Sequence, residues 1–142
     1  MNQRGFATLE VILMVMVIGI LASIAVPRFN SVTAAANTAK IQADLSTLDT
    51  AISLYYMDNG SYPDEGNITA ESPLKEYIKD IGNLKPPTGS AYIDGKETPI
   101  SSSATSYAIT AGASGTNEES RATLDGKNAG AFTKNKNNVS GS

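Results

Sequence analysis

From Val11 to Val26 the chain reads VILMVMVIGILASIAV without one charged residue, and no other feature restricts its fold as strongly. At ~1.5 Å per residue the stretch Phe6 to Pro27 would reach about 33 Å as a helix, enough to cross a hydrocarbon core about 30 Å thick. Such a segment belongs in a bilayer, in an assembly of similar segments, or in a removed export signal. The 142 residues allow one small domain beside it and are too few for two independent cores. Hydrophobic residues are 41% of the whole but crowd towards the N-terminus, and the remainder is rich in Ser, Thr, Gly and Asn. The chain therefore divides into two unlike parts.

Neither Cys nor His occurs. Thiol nucleophiles, disulfides, imidazole bases and the usual zinc ligands are excluded together. No base accompanies any Ser, so the sequence reads as a non-enzyme with no cofactor. Formal net charge is -3, and removing Arg4 would leave ten basic against fourteen acidic side chains, or -4. That balance suggests no general affinity for nucleic-acid phosphate.

Two readings of the N-terminus compete. In the first it is an ordinary secretory signal, with Arg4 as the basic region, the apolar run behind it and Ser23-Ile24-Ala25 as the small-residue cleavage site. Against this stands Glu10, since a carboxylate carried to mid-bilayer costs about 2.5 to 3.5 kcal/mol and calls for a partner. In the second reading the segment Arg4-Gly5-Phe6-Ala7-Thr8-Leu9-Glu10, with the uncharged run closing at Pro27, resembles the class III signal of type IV prepilins. The match needs a short basic leader, Gly then Phe, Glu four residues later, and Pro at the end of the run.

That resemblance implies cleavage between Gly5 and Phe6 by a membrane-embedded prepilin peptidase, which then N-methylates Phe6. Glu10 falls on the family's Glu at the fifth mature position. There it would pair with the cationic amine of Phe6, on the same subunit or on a neighbour, and the neighbour is preferred. Either charge buried alone is strongly unfavourable, so the pair would set register. Gly19 lowers helix propensity by about 1 kcal/mol relative to Ala, and Pro27 lacks the N–H that would bond the Ser23 carbonyl. The two weaken the helix between them, which the resemblance reads as an extensible segment and propensity alone reads equally as a simple kink.

Beyond Pro27, the positions Ile41, Leu45, Leu48, Ile52 and Tyr55 form one apolar stripe at helical spacing. Asn37, Lys40, Asp44, Thr47 and Asp58 are placed on the opposite face, and Ala34, Ala35 and Ala36 favour the helix, so one helix is expected from Phe6 to about Met57. Asn59-Gly60 is its stop signal. The run Asp58-Asn59-Gly60-Ser61-Tyr62-Pro63 resembles the junction after the long helix of type II secretion major pseudopilins and many pilins.

In the remainder, Glu71 to Ile81 predicts a short helix with Ser72 as N-cap and Pro73 at its first position. Short alternating runs at Ala91 to Asp94, Thr105 to Ala111 and Arg121 to Asp125, with Asp94-Gly95 and Asp125-Gly126 turns, predict an antiparallel sheet of three or four strands. Lys85-Pro86-Pro87-Thr88-Gly89 departs from the loop that carries calcium ligands in major pseudopilins. Asp80, Asp94, Glu97, Glu118, Glu119 and Asp125 lack the spacing of a cation loop and are read as solvated charges, so no metal site is expected. Residues 134 to 142 (KNKNNVSGS) are read as a mobile tail.

The expected architecture is α+β: a leader at 1–5, a transmembrane or filament-core helix at 6–29, a pilin-type globular domain at 30–133 and a tail. The resemblance implies a structural subunit of a type IV pilus-like filament. A major pseudopilin of type II secretion or a competence system is the alternative, and an exported globular domain with an ordinary signal the more distant one. The implied partners are the peptidase and methyltransferase, identical subunits, an inner-membrane assembly platform and lipid, with no specific nucleic-acid site. The implied location is the inner membrane before assembly, and a surface pilus or periplasmic pseudopilus afterwards.

Overall fold

The computed structural model describes residues 3–111 and 119–135, except for the side chains at 26–29. One helix, α1, runs Gln3–Asn59. The chain divides into two compact units, Met1–Val32 and Thr33–Ser142. In the first unit the described residues are helical throughout, including the backbone at Pro27, whose side chain lies outside the described set.

In the second unit the predicted stripe is the centre of the core. Ile41, Leu45 and Leu48 are fully buried and Ile52 nearly so, each worth about 1.5 to 3 kcal/mol of burial. They pack in one cluster with Leu74, Ile81, Tyr107, Ile109, Leu124 and Phe132. The helix stops where the sequence places its stop: Gly60 adopts φ +70 and its N–H bonds the Tyr56 carbonyl at 2.8 Å, closing the last turn. Tyr62 then stacks on Tyr56 with ring centroids 4.4 Å apart, covering the helix end.

The β structure is five short strands in two sheets rather than the single sheet expected. β1 (Gly66–Asn67), β4 (Ala108–Thr110) and β5 (Arg121–Thr123) form one antiparallel sheet in the order β1-β4-β5. β2 (Ser90–Ile93) and β3 (Lys96–Pro99) form a separate hairpin. Its loop is the predicted Asp94-Gly95, with both residues at positive φ as a two-residue hairpin of this hand requires. Asp125-Gly126 turns the chain in the same way between Leu124 and Lys127. β1 and β3 escaped the sequence reading because two residues, and four that include Thr and a terminal Pro, carry no usable alternation.

The expected helix over Glu71 to Ile81 is replaced by two 3₁₀ turns, Pro73–Glu76 and Ile81–Asn83. The predicted cap is present, with Ser72 Oγ accepting from the Leu74 N–H. Asp80 sits in the left-handed region at φ 60, which no α-helix can pass through, and so the apolar residues reach the core from separate turns.

A second correction concerns the polar flank of α1, which is tied to the sheets instead of facing only water. Asn37 Nδ2 donates to the carbonyls of Thr88 and Ser90, at 3.0 and 2.8 Å. Lys40 Nζ donates to Asp44 and to the Lys85 carbonyl. Asp44 also accepts from the hydroxyl of buried Tyr107. Thr38 Oγ1 accepts from the Tyr92 N–H and Asp49 Oδ1 from the Ala122 N–H, both at 2.7 Å. Burial, then the Asp44 carboxylate, holds the Tyr107 hydroxyl far above the usual phenol range. Burial also raises Asp49, opposed by the Ala122 N–H and Arg121.

Of the expected tail, Lys134 and Asn135 have contacts. The Lys134 ammonium stands 5.6 Å from the Tyr92 ring centroid, and Asn135 exchanges hydrogen bonds with Thr133. Residues 136–142 lie outside the described set.

Candidate functional site

The apolar segment of α1 has no cover of its own. Thirteen large apolar side chains between Phe6 and Ile24 are 49% to 75% exposed. The helix has an 18-residue window of mean hydropathy 2.7, none of it buried, and is long and apolar enough to cross a membrane. Covering these side chains would release on the order of 20 kcal/mol, taking about 1.5 kcal/mol for each.

Three polar side chains interrupt positions 6–25. Thr8 Oγ1 donates to the Arg4 carbonyl at 2.8 Å and Ser23 Oγ to the Ile20 carbonyl at 2.7 Å, so the helix satisfies both internally. Glu10 is exposed and makes no ion pair among the described residues. Four residues separate it from Phe6, which puts the two on one face of the helix. Phe6 is 75% exposed.

Gly5 and Phe6 lie in the first turn of α1, where backbone N–H groups have no partner within the helix and fraying is easiest. Gly5 loosens that turn by about 1 kcal/mol relative to Ala. Nothing lies within 4 Å of a Cβ built on Gly19, so no packing within this chain requires glycine there.

The structure thus brings Gly5, Phe6 and Glu10 within two turns and leaves Gly19 apart from them. The internal satisfaction of Thr8 and Ser23 was not drawn from the sequence, although the i−4 and i−3 spacing of hydroxyl to carbonyl was there to find. In the second unit a cavity of about 120 Å³ is lined in part by Ile93, Ile100, Leu124 and Phe132. It is too small for a typical organic ligand. Among the described residues no three Asp or Glu side chains converge as a metal would need, and Glu118 lies outside that set.

A long apolar helix followed by a small antiparallel head defines the α+β fold of the pilin class. Comparison with known proteins agrees. The chain is 37% identical over 77 residues to type II secretion system core protein G of Klebsiella michiganensis, covering 54% of this chain and 51% of that protein. It is 38% identical over 91 residues to the core protein G of Aeromonas hydrophila, covering 59% and 64%. It is 26% identical over 83 residues to the type IV major pilin protein PilE of Neisseria gonorrhoeae, covering 56% and 50%. The chain spans about half the length of most of these relatives. No family model and no solved structure matches it. In sequence the chain is thus similar to type II secretion core protein G and to a type IV pilin, and its architecture is consistent with the type IV pilin α+β fold.

Proposed function

We propose that this protein is a structural subunit of a type IV pilus-like filament, cleaved after Gly5, N-methylated at Phe6 and polymerised through its apolar helix. One observation carries the reading: a fully uncovered apolar helix in which Glu10 is the single polar side chain without a partner among the described residues. In a bilayer the helix is covered by lipid but the carboxylate is not matched. In a bundle of identical helices, both are. The amine freed at Phe6 of an incoming subunit supplies the cation, and the mutual need of two buried charges selects one register. Gly19 and Pro27 then weaken the helix where packing against neighbours would bend or extend it.

The names and higher identity of the core protein G relatives favour a type II secretion pseudopilus as the second reading. Both readings place the subunit in the inner membrane before assembly, with a prepilin peptidase and an assembly platform as partners, and require no catalysis from the subunit. The test is the N-terminal residue and intact mass of the protein from membranes and from sheared filaments. N-methyl-Phe6 is expected. A terminus near Val26 would mean an ordinary export signal and would end the proposal.

A further inference from the structure

Asn67-Ile68-Thr69 is an N-x-T acceptor sequence for N-linked glycosylation, and the structure presents it as an enzyme would need it. Exposure alternates along the three residues: Asn67 is exposed, Ile68 is buried in the core, and Thr69 is exposed. Asn67 ends strand β1 and Thr69 opens the turn closed by the Ser72 N–H on its carbonyl, with buried Ile68 between the two exposed residues. The amide and the hydroxyl that such an enzyme reads together therefore both face outward. Ile68 anchors the segment by packing and by its N–H, which bonds the Tyr107 carbonyl at 2.8 Å.

Both polar groups retain the capacity the reaction needs. No described hydrogen bond uses the Asn67 side chain. Thr69 Oγ1 accepts from the Glu71 N–H, which leaves its own proton to donate. There is room as well, since nothing lies within 4 Å of a Cβ built on neighbouring Gly66. The sequence holds two further matches, Asn59-Gly60-Ser61 and Asn138-Val139-Ser140. Asn59 spends its amide on the Tyr55 carbonyl at 3.0 Å in the last turn of α1, and Asn138 lies outside the described residues. Structure thus separates Asn67 from Asn59, which the motif alone cannot.

We infer that Asn67 is a glycosylation site, taking an oligosaccharide from a polyprenyl-pyrophosphate donor on the outer face of the membrane. Asn67 Nδ2 bonds the anomeric carbon and the anomeric C–O bond breaks. The polyprenyl pyrophosphate leaves with that electron pair, and the Nδ2 proton passes to a base of the transferase. Glu65, two residues earlier and exposed, accepts the Ala111 N–H at 2.9 Å through Oε1 and so helps to hold the backbone beside the acceptor. β1 is also the outer strand of its sheet, with pairing described only to β4. A glycan on Asn67 would cover this open edge and block edge-to-edge pairing of heads, a hazard of uncovered strands.

The inference rests on the membrane orientation proposed above, and one digest separates the two. Protein from its native membranes is cleaved with trypsin, and the peptide between Lys40 and Lys75 is fragmented to locate any added mass. A glycan on Asn67 is expected. Asn67→Gln and Thr69→Val should each reduce occupancy to background, whereas Thr69→Ser and Asn59→Gln should retain it. Thermal unfolding of each variant checks that the exposed substitutions leave the fold intact. An unmodified peptide, or added mass that persists in Asn67→Gln, overturns the inference. If the same digest yields N-methyl-Phe6 with unmodified Asn67, glycosylation alone has failed; without N-methyl-Phe6, the filament reading has failed too.

Discussion

Replacing Tyr107 by Phe tests the polar junction between helix and sheet while leaving the packed ring in place. The side chain is fully buried and its hydroxyl donates to Asp44 Oδ2, the same oxygen that Lys40 reaches. A hydrogen bond to a charged partner contributes about 1.5 to 3 kcal/mol, and Asp44 keeps Lys40 when the hydroxyl is lost, so the full penalty for an orphaned charge does not apply. For a folded unit of roughly a hundred residues that loss corresponds to a drop in Tm of about 6 to 12 °C. Lys40→Met removes the other arm, an ion pair whose lysine side chain is 47% exposed, and should cost only about 0 to 1 kcal/mol.

The assay is thermal unfolding of the full chain in detergent micelles, followed by near-ultraviolet circular dichroism of the tyrosines. The two variants must fall in that order. A Tyr107→Phe loss below about 0.5 kcal/mol, or a larger loss for Lys40→Met, would refute the assignment of the buried phenol as the stronger link. The pH dependence gives a second check. The folded-state phenol is raised above its unfolded value, so its contribution is fully present below pH ~10 and is lost as pH rises through the folded pKa. Tyr107→Phe should flatten that alkaline limb.

Asp49 is raised in the folded state, so its titration favours folding below its unfolded pKa and this contribution disappears as pH rises through the folded one; Asp49→Asn should flatten the acid limb of the stability profile. Asp49→Ala should cost about 1 to 3 kcal/mol in denaturant unfolding by leaving the Ala122 N–H without its acceptor. Gly82→Ala would set a Cβ 2.8 Å from Ala70 Cβ and should cost about 1 to 3 kcal/mol in the same experiment. Glu10→Ala should leave cleavage after Gly5 unchanged, read by mass, while filament yield after shearing falls at least tenfold.

What the sequence determined by itself is what repeats or punctuates over short range. The uncharged run at Val11 to Val26, the stripe from Ile41 to Tyr55, and the Gly60, Asp94-Gly95 and Asp125-Gly126 turns could all be read from spacing or from local backbone chemistry. Gly5, Phe6 and Glu10 lie within six residues of one another, so the sequence alone suggests them as a motif, and their roles belong to the proposal. Tertiary structure alone decided which polar residues became structural. Asn37, Lys40 and Asp44 were expected on a solvated helix face, and nothing in the spacing singled out Thr38 or Asp49, yet these five bond to Lys85, Thr88, Ser90, Tyr92, Tyr107 and Ala122, 45 to 73 residues away. No periodicity encodes a bond between a helix side chain and a backbone N–H that distant. The same reason separates Asn67 from Asn59: the motif is identical, and only the fold leaves one amide free while spending the other on a helix end.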